Sequence, residues 1–117
     1  MNELRPFVGV AAKKRRRARL LINLVADEFE VDVEDLYVQK RAARYSLPRM
    51  VAVSLLRTCL KMSWWAIATH FGYKTHSSAL ANTANLDKKI QKDNDLKDTI
   101  TSIIQRYNKE NNDEQQN

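Results

Sequence analysis

Apolar residues return along most of this chain at the spacing of an α-helix. Leu20, Leu21, Leu24, Val25 and Phe29 form one stripe with charged residues between them, the pattern of an amphipathic helix. Its start lies either at Lys13 or further upstream near Pro6, a residue suited to a first helical position. From Val31 to Val38 the pattern shortens to one turn of helix. Asp32 is its cap, Glu34 and Asp35 stand in its first turn, and Leu36 and Tyr37 face the core. Gln39 to Ser46 reads as a basic loop. Pro48 opens the next helix, which Met50, Val51, Val53, Ser54, Leu55, Arg57 and Thr58 carry to about Lys61. Apolar residues on more than one side predict that this helix is the most buried.

Ser63 to Leu80 then reads as helix, tight turn, helix. Ser63 is an N-cap whose hydroxyl can accept a free first-turn amide. Trp64, Ile67, Ala68 and Phe71 give one apolar face, and Gly72 stands where the helix must stop, supplying the left-handed conformation that other residues resist. Thr75 caps a second helix, which continues through a core stripe of Leu80, Thr83, Leu86 and Ile90. The side chains first offered by that helix and its lead are Lys74, Thr75, His76, Ser77 and Ser78, all hydrogen-bond donors and none acidic. A helix-turn-helix that presents such a tip suits readout of a DNA major groove. Asp93 to Asp95 start a last helix whose buried face is Leu96, Ile100, Ile103, Ile104 and Tyr107.

With two glycines and two prolines in 117 residues and no sustained period-two alternation, the fold class is all-α: a compact helical bundle with a central helix-turn-helix. The expected organisation is a flexible lead over 1–12, a helical domain over 13–107 with the helix-turn-helix at 63–92, and a disordered polar tail over 108–117. The apolar stretch Phe7 to Ala12 is too short for a signal-peptide core, and no segment is long enough to span a membrane. Cys59, the single cysteine, reads as a buried reduced thiol, which fits a cytoplasmic, nucleoid-associated protein.

Charge sharpens this picture. The formal net charge is +6, and from Leu36 to Leu86 there is no Asp or Glu. The same interval holds Lys40, Arg41, Arg44, Arg49, Arg57, Lys61 and Lys74. A solvated face normally mixes signs, whereas a polyanion-binding surface must lack carboxylates that repel phosphate. The run Lys13-Lys14-Arg15-Arg16-Arg17-Ala18-Arg19 opposes the macrodipole if a helix begins there. It is either a nucleic-acid arm or a solvated helix end. His70, His76 and Cys59 have no zinc-site spacing. His76 beside Ser77 and Ser78 has no orienting acid, so catalysis is not expected. Of the adjacent Trp64 and Trp65, one should be core and the other exposed as surface or as a contact for DNA backbone or protein.

The order of these features, with Pro48-Arg49, Phe71-Gly72 and His76-Ser77-Ser78 in register, resembles the C-terminal DNA-binding domain of the bacterial replication initiator DnaA over about Leu20 to Tyr107. The resemblance implies a Trp-repressor-like helical fold. It places Arg41 in a minor groove, Arg49 at the position of the Arg of the Pro-Arg pair, Arg57 on a phosphate, and Lys74 to Ser78 at the base-reading tip. Lys40, Arg44, Lys61 and Tyr73 join the backbone-contacting set. The family signature Phe-Gly-Gly-Arg-Asp-His-Thr-Thr-Val is here Phe-Gly-Tyr-Lys-Thr-His-Ser-Ser-Ala from Phe71 to Ala79. Thr75 thus stands for the family's Asp and Tyr73 for its second Gly. A Thr hydroxyl does not reproduce a carboxylate that accepts from a cytosine amine. No Gly-rich phosphate loop is present, so neither nucleotide nor any other cofactor is expected, and the chain reads as a free-standing recognition domain. The leading function is sequence-selective binding of double-stranded DNA in replication initiation or transcription. The alternatives are a protein-interaction module, docking through the Trp65 region or the basic N-terminal helix, and RNA binding. An A-form major groove is too narrow for a helix, which favours duplex DNA over RNA.

Overall fold

The computed structural model describes residue 7 and the ranges 9–37, 43–73 and 75–116, with 43 and 113–116 as backbone. Among these residues are five helices, one 3₁₀ turn and no strand. Helix α1 spans Ala12–Glu28 and buries Ala18, Leu21, Ile22, Leu24, Val25 and Ala26, the side predicted by its apolar stripe. It ends through Glu30 at φ 56°, with Val31 N–H returning to the Ala26 carbonyl at 3.0 Å. A 3₁₀ turn follows over Val33–Tyr37 and inserts the fully buried Leu36.

Helix α2, Ala43–Leu60, contains Pro48 rather than opening at it. Residues expected in the basic loop therefore form its first turn. Proline in a helix interior removes one N–H bond and crowds the preceding turn. Here the missing bond is that to the Arg44 carbonyl, near the helix start, where Arg44 is exposed and water can replace it. Lys40 and Arg41 lie outside the described residues. Every residue from Val51 to Leu56 is buried, so α2 is the central helix, packed by α1, α3, α4 and the 3₁₀ turn.

Lys61 at φ 53° turns the chain into α3, Trp64–Phe71. Ser63 Oγ accepts from Ala66 N–H at 3.1 Å, the predicted cap, which contributes about 1 kcal/mol. Gly72 closes α3 in the left-handed region at φ 74°, and Tyr73 N–H returns to the Ala68 carbonyl at 2.9 Å. Helix α4, His76–Lys92, starts after an extended Thr75 whose side chain makes no capping bond. Ala79 and Leu86 are its buried residues. Leu80, expected in the core stripe, is 44% exposed. It sits one position, about 100°, round the helix from Ala79, the residue that shares a face with Thr83, Leu86 and Ile90.

Asp93 Oδ1 caps the next helix through Leu96 N–H at 3.1 Å. Helix α5, Asn94–Gln116, continues past Asn108, where a disordered tail was expected. The helix is nucleated and packed through Leu96, Ile103 and Tyr107, and elongation from a formed helix adds a bond per residue without a new nucleation cost. Arg106 fastens α5 to the end of α1, with Nη1 at 2.9 Å from Asp27 and 3.1 Å from Glu28, and Ser102 Oγ donates to Glu28 at 3.0 Å. The two carboxylates that oppose the dipole of α1 thereby gain a cation. The lead is also not wholly free. Phe7 is buried, its ring stacked on His70 at 3.6 Å. Tyr37 Oη and His70 Nε2 share a 2.6 Å hydrogen bond, so His70 is a core histidine.

Candidate nucleic-acid interface

The geometry of the tip is set by Gly72 and by the extended Thr75. Together they turn the chain between α3 and α4 so that Thr75, His76 and Ser77 stand exposed and Ser78 half-buried. The first turn of α4 contains no acid; the His76 and Ser77 amides lack intrahelical acceptors, whereas Ser78 N–H reaches the Thr75 carbonyl at 3.3 Å. The expected side-chain cap by Thr75 is absent. Lys74 lies outside the described residues.

Beneath the turn lie Tyr73 and Arg49. Tyr73 turns its ring inward rather than fully into solvent. Its ring lies half-buried, stacked near Phe71 at 6.2 Å between centroids. Its hydroxyl is buried beside Asn82 and Arg49 without a hydrogen bond of good geometry. Burial pushes the phenol above its ordinary pKa, while the Arg49 guanidinium pulls the other way. A bulky aromatic at this place is accommodated by facing the core, where it gains apolar contact. Arg49 is only 7% exposed, and its Nε donates to the Leu36 carbonyl at 2.9 Å. It ties α2 to the 3₁₀ turn and lies beside the Tyr73 hydroxyl.

Arg57 holds the other turn. Its Nη1 donates to the Met62 carbonyl at 2.9 Å, and its guanidinium lies 4.8 Å from the centre of the Trp64 ring. It is half-buried, and the exposed Lys61 lies beside it in the same turn. Trp64 is packed inward and Trp65 is 55% exposed, the opposed orientation expected of neighbours. Arg44 is exposed at the start of α2, with its guanidinium 5.7 Å from the Tyr45 ring. The candidate residues thus gather near two turns: Arg57, at the end of α2, and Lys61 precede α3, and Tyr73 and Thr75 to Ser78 lie between α3 and α4 with Arg49 of α2 beside Tyr73. The structural anchoring of Arg49 and Arg57 left no mark in the sequence, since their acceptors are carbonyls. Lys14 was not singled out either, yet it lines a cleft with Lys61 and Ser63; only its place in the basic run hinted at it.

Among the described residues no group of three His, Cys, Asp or Glu side chains could hold a metal ion, and no helix is long and apolar enough to cross a membrane. Burial raises the Cys59 thiol pKa, which leaves it mostly protonated at neutral pH.

Comparison with known proteins bears on the same segment. The family model described as bacterial dnaA protein helix-turn-helix matches residues 18–85. A chromosomal replication initiator protein DnaA of Geobacter metallireducens is 32% identical over 102 residues, 87% of this chain and 23% of that protein. The DnaA 2 protein of Chlamydia trachomatis is 34% identical over 100 residues, 86% of this chain and 22% of its own length. DnaA of Acholeplasma laidlawii is 26% identical over 114 residues, 91% of this chain and 26% of its length. The chain spans about a quarter of the length of these relatives. With the turn at Gly72, the capped α3 and the polar start of α4 inside the matched segment, the chain belongs to the family of the bacterial DnaA helix-turn-helix.

Proposed function

We propose that this protein binds double-stranded DNA sequence-selectively and acts in replication initiation or in transcription. The start of α4 enters the major groove. Thr75, His76, Ser77 and Ser78, with Lys74 before them, meet base edges. Arg41 reaches the adjacent minor groove, and Lys40, Arg44, Arg57 and Lys61 meet phosphates. Arg49 serves this surface by holding Leu36 and Tyr73 rather than by standing in solvent. The observation that carries the reading is the exposed, acid-free tip Thr75 to Ser77 on a turn fixed by Gly72. A hydrogen-bonding, negatively charged groove exploits donors, free amides and absence of carboxylates together.

A second reading, a protein-interaction module, draws on Trp65, a large apolar side chain 55% exposed at the start of α3. Gel-shift titrations with random duplex DNA and random RNA over a salt series separate the two. Binding of duplex that weakens steeply with salt, followed by enrichment of one sequence from a random pool, is the expected result. No duplex binding at low salt overturns the DNA reading.

A further inference from the structure

The start of α1 and the turn before α3 face each other across a cleft of about 330 Å³. Val10, Ala11 and Lys14 line one side, and Lys61, Met62 and Ser63 line the other. The two sides are wedged together. Gly9, at φ 72°, lies under the Trp65 ring, so that a β-carbon built there would stand 3.5 Å from Cζ3. Arg15 Nη1 donates to the Val10 carbonyl at 3.3 Å and holds the lead against α1. Lys14 and Lys61 are both exposed, and neither has an ion-pair partner among the described residues. No acid stands in the first turn of α1 or of α3. Among the described residues the cleft therefore concentrates positive charge with no carboxylate to neutralise it.

This arrangement bears on the two readings of the basic run. A merely solvated helix end would project its cations away from the molecule. Lys14 instead lines the same cleft as Lys61, next to the turn held by Arg57. On the same face of α1, Ala18, Leu21 and Val25 are buried, so Lys14 points along the side that packs on the domain. We propose that Lys14 and Lys61 together receive one backbone phosphate of duplex DNA, at a step outside the segment read by α4. The basic start of α1 thereby lengthens the DNA footprint without reading sequence. The proposal rests on the DNA-binding reading above, and it adds to that reading a residue and a flank.

The test uses the full chain, the variants Lys14→Gln (alone and combined with Lys61→Gln) and Lys14→Glu, and duplexes carrying the selected site with flanks trimmed pair by pair. Lys14 is exposed, and thermal melting checks that the variants fold as the wild type does. On the long duplex, Lys14→Gln combined with Lys61→Gln flattens the log-affinity against log-salt slope by ~0.9, so that between 50 and 200 mM salt wild-type affinity falls about 3.5-fold more than that of the double variant, and Lys14→Gln alone flattens it by less. Lys14→Glu binds more weakly than Lys14→Gln, because a carboxylate now faces the phosphate. On a duplex trimmed past the contacted step, wild type and variants converge. Equal slopes and affinities on the long duplex overturn the proposal, as does a deficit that persists undiminished on the shortest duplex still bound. If wild type binds no duplex at all, the failure belongs to the DNA-binding reading itself.

Discussion

Arg49→Met separates a positioning role from a phosphate contact. The substitution keeps an unbranched apolar stem and removes the guanidinium. The Leu36 carbonyl then loses its 2.9 Å donor. Leu36 is wholly buried, so water does not readily replace that donor. A hydrogen bond from a charged group contributes about 1.5–3 kcal/mol, and an orphaned buried acceptor costs a comparable amount. For a domain of this size, with about 4 °C per kcal/mol, the melting temperature should fall by about 6–12 °C. The urea midpoint should fall by about 1 M. A second readout follows from Tyr73. The Arg49 cation lowers the phenol pKa against the raising effect of burial, so its removal should carry the Tyr73 titration further up, seen by ultraviolet difference absorbance at alkaline pH. At a temperature well below both melting points, DNA affinity should drop while the salt slope stays as in wild type, because the lost group orders the tip and does not neutralise a phosphate. Wild-type stability together with a slope flattened by ~0.9 would refute this reasoning and return Arg49 to the DNA backbone.

Arg57→Ala should do both things at once: flatten the salt slope by ~0.9 and lower the melting temperature by several degrees, since the Met62 carbonyl and the Trp64 ring lose their partner. An unchanged slope in the same titration rules out the phosphate contact. Arg41→Ala should weaken binding to the selected site strongly with little change in melting temperature, since a narrow A·T-rich minor groove favours an inserted guanidinium; unchanged affinity refutes that assignment. Thr75→Asp should shift preference at one base pair by ~1–3 kcal/mol, toward cytosine. A panel of single-base variants reads this directly, and a uniform loss over the panel would put the Thr75 side chain against phosphate instead.

Local chemistry was legible in the chain itself. Ser63, Gly72 and Asp93 act within three or four residues of their own positions, so their capping and stop signals could be read without knowing the fold. The apolar stripes of α1, α3 and α5 follow from helical periodicity, and the acid-free interval from Leu36 to Leu86 is a property of composition. These local signals already pointed to a helix-turn-helix with a polar, acid-free tip. What they left undecided depends on partners distant in sequence. Pro48 reads as a helix start until one sees that α2 is clasped from several sides, which outweighs one missing hydrogen bond. Leu80 and Ala79 are adjacent, and only the packing of α4 on α2 and α3 chose the small residue for the core. Tyr73 turned inward to stack near Phe71, with its hydroxyl beside Asn82 and Arg49. Arg49 and Arg57 were legible as cations, but their acceptors are backbone carbonyls, which every residue carries and no sequence marks. Lys14 and Lys61 stand 47 positions apart in the chain and share a cleft only because α1 packs across α2. Side-chain type and period are inherited along the chain, whereas burial, orientation and the choice of hydrogen-bond partner are set by elements that meet only after folding.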